Sequence, residues 1–153
     1  MKVIFCRWKS ICEVGIDNAL KRLGFDVVYM NRAFKSVDYD EGYLKDLAAL
    51  IQQTKDVLCV FSVNFQPIIA RTCKVFKLPY LSWTVDCPSF QLYSETIRYE
   101  TNRIFVLDRM QHDKFSPMNP DCIFHLPMGC DVPTWDSVKV TAEEHKRYDC
   151  DIS

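Results

Sequence analysis

Residues 57–61 read VLCVF, five apolar residues in succession that follow Asp56. A strand with one face in water alternates apolar and polar residues, whereas a strand covered on both faces is apolar throughout. The run therefore predicts a strand that is buried on both faces, as the strands of a parallel sheet are.

Strands and helices alternate on the N-terminal side of this run. Strands are predicted at residues 3–6 and 27–30. The helix between them has Gly24 as its C-terminal cap, and the next helix is capped by Asp38 or Asp40. The apolar positions at helical spacing are Ile16, Ala19, Leu20 and Leu23 in the first helix and Leu44, Leu47, Ala48 and Ile51 in the second.

The same alternation continues toward the C-terminus. Three more strands are predicted there, at residues 79–83, 104–107 and 122–126. One helix begins near Asn64 and Pro67, and a shorter helix is predicted over residues 109–115. This alternation predicts an α/β fold, in which a parallel, doubly wound sheet of about six strands has right-handed crossovers.

The composition narrows the class of protein. With 153 residues, 48% of them hydrophobic and 25% charged, the chain has the make-up of one globular domain. Its net charge of −1 gives no electrostatic footprint for nucleic acid or an anionic membrane. No apolar run approaches the roughly 18 residues of a membrane span, and the first residues lack the features of a signal peptide. We therefore expect a soluble, cytoplasmic protein that binds no nucleic acid and has no membrane span.

Eight cysteines are scattered through the chain without a CxxC pair. Cys6 and Cys59 lie in apolar runs, where a thiol behaves as a small buried hydrophobe. The spacing favours reduced thiols over a disulfide framework or a zinc site. The three histidines have no metal-site spacing either, and the DCD at residues 149–151 is too short a motif to indicate one. We expect no bound metal.

The first predicted strand-to-helix turn, residues 6–15 (CRWKSICEVG), has the bulky residues Arg7 and Trp8 where a dinucleotide-binding turn has glycines. Only glycine lets the backbone approach a pyrophosphate closely. The whole chain has four glycines and no GKS or GKT. A phosphate cradle is therefore improbable, which argues against a standalone dehydrogenase or NTPase.

Ligands of parallel α/β sheets bind outside the carboxyl ends of the strands, and residues 80–90 (YLSWTVDCPSF) contain such an end. There Asp86 could accept a proton from a hydroxyl, and Trp83 could offer a flat face to a ligand. Equally, Asp86 could cap a turn and Trp83 could plug an edge of the core. The pair Asp108 and Arg109, after the fifth strand, is either a helix cap with a surface charge or part of the same site.

Three longer segments resemble a known family. They are residues 60–90 (VFSVNFQPIIARTCKVFKLPYLSWTVDCPSF), 92–109 (LYSETIRYETNRIFVLDR) and 124–131 (FHLPMGCD). In this order they resemble the N-terminal domain of the spore-maturation-protein-type (CgeB-like) glycosyltransferases. Separately, LPMGCD is similar to the PNGVD-like segment that leads into the second domain of many GT-B enzymes, with Met128 in place of the usual Asn.

The resemblance implies a Rossmann-like three-layer sandwich over residues 1–131, the acceptor-side half of a GT-B glycosyltransferase. Residues 132–153 would be a linker, a helix at residues 141–147, and a strand from residue 148 that opens a missing donor domain. That donor domain would bind the nucleotide-sugar, so this chain would bind no cofactor and be inactive alone. The matching motif positions make Asp86 the candidate catalytic carboxylate. The candidate acceptor-binding residues are Asn64, Trp83, Asp108 and Arg109.

Two other classes of function stay open. A non-catalytic binding or regulatory domain of flavodoxin type would have the same alternation, although a receiver-like version would need an acidic cluster after the first strand, which is absent from residues 7–10. A protein-interaction domain that has lost activity would also share the fold.

Overall fold

The computed structural model describes residues 1–151 and contains one sheet of six parallel strands. The strands are β1 (Lys2–Cys6), β2 (Asp26–Met30), β3 (Val57–Val63), β4 (Tyr80–Thr84), β5 (Asn102–Val106) and β6 (Ile123–His125). The helices are α1 (Glu13–Arg22), α2 (Glu41–Gln53), α3 (Pro67–Phe76), α4 (Arg109–Phe115), α5 (Val132–Asp136) and α6 (Ala142–Tyr148). Short 3-10 turns lie at Phe90–Tyr93, Glu95–Arg98 and Ser116–Met118.

The strand order is β2-β1-β3-β4-β5-β6, so the chain reverses its direction across the sheet once, between β1 and β3. Right-handed crossovers place α1 on one face of such a sheet and α2, α3 and α4 on the other. The prediction of an α/β fold with a six-stranded parallel sheet is confirmed, and helices on both faces make it a Rossmann-like three-layer sandwich.

The main core lies between the sheet and the layer of α2, α3 and α4. Ile4, Val60 and Tyr80 lie side by side on β1, β3 and β4 and are fully buried. From the helices, Leu47 and Ile69 pack into the same cluster. VLCVF forms the first five residues of β3, which lies between β1 and β4 in the sheet. Cys59 and Val60 are buried, but Leu58 near the start of the strand is 42% exposed, so the prediction of burial on both faces is wrong there.

The helix ends follow the capping signals of the sequence. Asp40, one of the two predicted caps, accepts a hydrogen bond of 2.9 Å from the backbone N–H of Tyr43 at the start of α2. Gly24 follows α1 with a φ of 83°, a left-handed conformation that glycine adopts without strain. Within α2 the buried residues are Tyr43 and Leu47, whereas Leu44 and the other predicted positions are only half-buried.

The C-terminal segment differs in part from the prediction. The linker expected from residue 132 contains the short helix α5, and the helix expected at residues 141–147 is α6. Tyr148 is the last residue of α6, and residues 149–151 form no strand. The rest of the strand predicted from residue 148 lies outside the described residues. Over residues 1–151, no helix has both the length and the apolar character needed to cross a bilayer.

All eight cysteines have free thiols, four of them buried. Burial raises the pKa of Cys6 to about 12 and that of Cys59 to about 11. These two thiols are therefore protonated at neutral pH and act as small apolar side chains. Among residues 1–151 no three His, Cys, Asp or Glu side chains are grouped so that they could hold a metal ion.

Candidate functional site

A cavity of about 400 Å³ opens at the carboxyl edge of the sheet, and we call it the switch pocket. It is lined by Trp8, Ala33, Phe34, Val37, Asn64, Gln66, Asp86 and Gln91. These residues follow the carboxyl ends of β1, β2, β3 and β4. The chain reverses direction between β1 and β3, and this is where open α/β sheets bind their ligands.

Asn64 connects the ends of β3 and β4. Its φ of 60° is left-handed, a conformation that Asn tolerates better than most residues. Its side-chain Oδ1 accepts from the backbone N–H of Val85 at 2.9 Å, and its Nδ2 donates to Oδ2 of Asp86 at 2.6 Å. Both polar atoms of the Asn64 side chain are thus used to fix the loop after β4 and to orient the Asp86 carboxylate.

A buried hydrogen-bond network supports this turn from below. The fully buried Tyr80 hydroxyl accepts from the backbone N–H of Gln66 at 2.9 Å and lies 2.6 Å from the Ser62 hydroxyl. Ser62 donates in turn to the backbone carbonyl of Asn64 at 2.8 Å. Burial raises the pKa of Tyr80 well above its ordinary value, so the phenol keeps its proton and donates to Ser62. The backbone of Asn64 and Gln66, two residues that line the switch pocket, is therefore held in place by buried hydrogen bonds.

The turn after β1 is organised around the buried carboxylate of Glu13, which is 2% exposed. Glu13 accepts from the backbone N–H groups of Trp8 at 2.7 Å and Ser10 at 3.1 Å, and pairs with Arg7 Nε at 3.0 Å. Amides at such a turn bind phosphates in nucleotide-binding folds. Here an internal anion already occupies them, in agreement with the missing glycine motif.

Trp8 and Asp86 are each held by a neighbouring element. The Trp8 indole N–H donates to the carbonyl of Val63 at 2.8 Å, which keeps the ring against the switch pocket. Gln111 of α4 donates through Nε2 to the backbone carbonyl of Asp86 at 3.1 Å. The Asp86 side chain itself is exposed. A fixed backbone with an accessible carboxylate allows that carboxylate to meet a ligand.

Of the five residues predicted for a site, the structure brings Asn64 and Asp86 together in the switch pocket. Trp83 lies on the other face of the sheet, and its indole N–H donates to the carbonyl of Leu126 at 3.1 Å. Asp108 caps α4 by accepting from the backbone N–H of Gln111 at 2.8 Å. Arg109 is exposed at the start of that helix. These last three residues do not line the switch pocket.

Several lining residues were not singled out from the sequence: Phe34, Val37, Gln66 and Gln91, and Trp8, which we noted only as too bulky for a phosphate turn. Trp8 lies two residues after β1, among the residues after a strand end where a ligand site is expected, whereas Gln66 lies three residues after β3, just past them. Phe34 and Val37 lie in the irregular segment between β2 and α2, for which the sequence gives no periodic signal.

A second and larger cavity, of about 590 Å³, lies on the α1 face, and we call it the α1 groove. It is lined by Ile11, Cys12, Val14, Gly15, Ile16, Ala19, Arg22, Trp83, Met128, Gly129, Cys130, Asp131, Thr134 and Trp135. Its main polar feature is the ion pair of Arg22 and Asp131, at 3.3 Å. A hydrogen bond from Thr134, with the nearby Arg22 charge, lowers the pKa of Asp131.

Comparison of the chain with protein families, curated proteins and solved structures found no match. The functional interpretation therefore depends on the geometry of the switch pocket and on the sequence motifs that form it.

Proposed function

We propose that this chain is the acceptor-side domain of a nucleotide-sugar-dependent glycosyltransferase, which transfers a sugar to an acceptor hydroxyl. The observation that supports this most is the Asp86 carboxylate, which Asn64 holds at 2.6 Å on the wall of the switch pocket. A carboxylate placed in this way can receive or orient the proton of a hydroxyl group.

In this proposal the two oxygens of the Asp86 carboxylate have different roles. Asn64 occupies Oδ2, and no residue among the described 151 donates to Oδ1. An acceptor hydroxyl bonded to Oδ1 would be positioned for attack and could lose its proton to the carboxylate as the new glycosidic bond forms. The aromatic residues Trp8 and Phe34 would hold the acceptor against this edge of the sheet.

The nucleotide-sugar donor needs a separate binding site in this proposal. The amides after β1 are bonded to Glu13, so they are not free to hold a diphosphate. A C-terminal donor domain of the same protein would bind the donor and close over the switch pocket. Residues 1–131 would then form the acceptor domain, and residues 132–151 would lead into the donor domain. We place the enzyme in the cytoplasm, in keeping with its eight free thiols.

The deciding experiment uses the enzyme in which this domain is joined to its donor domain. Asp86→Asn should lower the rate of sugar transfer by about 100-fold or more, the usual range for loss of a general base, with the Tm nearly unchanged. Asp121→Asn is the matched control, because Asp121 is exposed at the other end of the sheet, before β6. The proposal fails if both variants transfer at the parental rate, or if residues 1–153 alone catalyse transfer.

A second candidate is a non-catalytic, flavodoxin-like binding or regulatory domain. The strand order favours it, because β2-β1-β3-β4-β5 is also the flavodoxin order, in which the cofactor binds at the β1/β3 reversal. Titration of FMN with the chain distinguishes the two proposals. We expect no quenching of flavin fluorescence, since Glu13 occupies the amides that would receive the phosphate. Saturable quenching would favour the second candidate.

A further inference from the structure

The switch pocket is lined by one carboxylate and three side-chain amides, those of Asp86, Asn64, Gln66 and Gln91. Among the described residues, no Lys, Arg or His lines it. A site that binds a phosphate or carboxylate group normally supplies a basic side chain or free backbone amides. The charge of this pocket therefore disfavours an anionic ligand.

Gln66 provides an independent sign of a ligand. It is 4% exposed, and its backbone N–H donates to the Tyr80 hydroxyl. Its side-chain Oε1 is buried and has no hydrogen-bond partner among residues 1–151. Buried amide oxygens are nearly always paired, because an unpaired one is destabilising. A ligand that donates a hydrogen bond to this oxygen would supply the missing partner.

The other polar atoms of the pocket call for the same type of ligand group. Asp86 Oδ1 can only accept while the carboxylate is ionised. Gln91 accepts through Oε1 from the Ser89 hydroxyl at 3.1 Å, so its Nε2 remains a donor for a ligand. A hydroxyl group both donates and accepts, so a ligand with at least two hydroxyl groups can donate to Gln66 Oε1 and Asp86 Oδ1 and accept from Gln91 Nε2. The rings of Trp8 and Phe34 suit the apolar face of a sugar ring.

We propose that the switch pocket selects an uncharged, polyhydroxylated acceptor, such as a neutral sugar, and rejects phosphorylated or carboxylated sugars. Gln66 is the residue that recognises a ligand hydroxyl, and Asp86 is the residue that repels anions. This inference rests on the proposed function in that it takes the switch pocket as the acceptor site. The cavity of about 400 Å³ is in the size range of small-ligand sites.

The test is calorimetric titration of the chain with methyl glycosides of neutral hexoses, beside glucose 6-phosphate and glucuronate. We expect at least one neutral glycoside to bind about tenfold or more tightly than either anion, because a like charge near Asp86 opposes binding. Asp86→Asn should bring the ratio of the affinities for neutral and anionic sugars closer to one, since it removes the negative charge that repels the anions. Equal affinity for neutral and anionic sugars, or no binding of any neutral glycoside at tens of millimolar, would overturn the proposal.

A second variant tests Gln66 directly. Gln66→Met keeps the length of the side chain and removes the unpaired oxygen, so neutral glycosides should bind about tenfold more weakly at an unchanged or higher Tm. Parental affinity in a folded Gln66→Met protein contradicts the role given to Gln66. If this variant does not fold, the effect of Asp86→Asn on the ratio of affinities still decides the matter.

The two proposals can fail separately. If neutral glycosides bind in the switch pocket but the enzyme with its donor domain transfers no sugar, the proposed function is wrong and the ligand class stands. If that enzyme transfers sugar in an Asp86-dependent way only to a phosphorylated acceptor, the proposed function stands and the ligand class is wrong.

Discussion

The two cavities of this domain both lie close to β4, but they differ in size, in polarity and in how their walls are held. The switch pocket is the smaller, at about 400 Å³, and is built from strand ends that a buried network fixes. The α1 groove is larger, at about 590 Å³, and mostly apolar. One of its walls is the segment at residues 128–135, in which every residue except Asp131 is exposed.

Two neighbouring residues of α1 show the difference between a buried, hydrogen-bonded side chain and an exposed apolar one. Glu13 turns inward and holds the turn that carries Trp8, whereas Val14 is 60% exposed and lines the α1 groove. A large apolar cavity can form wherever a surface segment crosses a helix. Five side chains among the described residues have a buried polar atom without a partner, and only one of them, Gln66, lines either cavity. Together with the oriented side chains of Asn64 and Asp86, it makes the switch pocket the candidate site.

The largest expected effect is in the rate of thiol labelling, because this rate distinguishes a thiol buried in the core from the exposed thiols beside the two cavities. Cys87 beside the switch pocket and Cys130 in the α1 groove are exposed, whereas Cys73 on α3 is buried and burial raises its pKa. Cys73 should react with a maleimide at least about 1,000-fold more slowly, since it requires an opening of the core. Timed quenching with peptide mass analysis measures this. Equal rates would show that the core is not closed.

The next largest effect is expected for Glu13→Gln. The substitution leaves Arg7, which is about one-third exposed, without its carboxylate, and weakens the bonds to the Trp8 turn. We expect a loss of about 2–3 kcal/mol in the free energy of unfolding, less than for a fully buried pair. Urea denaturation measures it.

Two controls match Glu13→Gln. Glu41→Gln removes an exposed carboxylate from the first turn of α2, and Val14→Ala trims the groove side of α1. Each should change the free energy of unfolding by less than about 1 kcal/mol. If Glu13→Gln falls within the same range, Glu13 does not organise the turn after β1.

The variants Tyr80→Phe and Trp135→Ala compare how much the hydrogen bonds under the switch pocket and a wall of the α1 groove contribute to stability. Loss of the hydroxyl leaves the Gln66 backbone N–H without an acceptor and removes the donor to the Ser62 hydroxyl, which should lower the free energy of unfolding by about 1–3 kcal/mol. Trp135→Ala, at a side chain that is 67% exposed, should change it by about 0.5 kcal/mol or less. The reverse ranking would mean that the groove is the more ordered cavity.

The smallest expected effect is the pH dependence of stability that arises from Asp40, the N-terminal cap of α2. Asp40 follows the loop that contains Phe34. Hydrogen bonds from the backbone of Tyr43 and Lys35 lower the pKa of Asp40 below its ordinary value of 3.8. Because the folded-state pKa is the lower one, the stabilisation is complete above 3.8 and is lost as the pH falls through the folded-state value.

Asp40→Asn should therefore lower the Tm at neutral pH and have less effect in acid. Asn can still cap the helix but cannot accept from Lys35 with its amide nitrogen. Asp38→Asn, at an exposed position outside the cap, is the control. A Tm difference for Asp40→Asn that is the same at both pH values would argue against the role of its charge.

The sequence predicted the elements of the fold better than the membership of the site. Apolar runs such as VLCVF and caps such as Asp40 are local signals, so strands and helix starts could be placed within a few residues. The order β2-β1-β3 depends on the direction of each crossover, which no local pattern records. Tyr43 was missed as a core residue because its ring packs against Phe34 in the irregular segment before α2 and its hydroxyl bonds to Cys6 of β1, contacts that no local pattern records.

Trp83 shows the same limit at the level of the site. Residues on β4 alternate between the two faces, and the fully buried face carries the hydroxyl residues Tyr80, Ser82 and Thr84. The polarity of the strand therefore does not indicate which face Trp83 occupies. Asn64 and Asp86 could be predicted because they follow strands directly. Gln66 could not, because its significance lies in an oxygen that tertiary packing leaves without a partner.

The most direct test of which cavity is functional is a map of backbone amide shifts in the ¹⁵N-labelled chain as a neutral methyl glycoside is added. We expect the shifts to concentrate at residues 33–37, 64–66 and 85–91, around the switch pocket, and to be small at residues 11–22 and 128–135. Shifts concentrated in the α1 groove instead would contradict the assignment of the site.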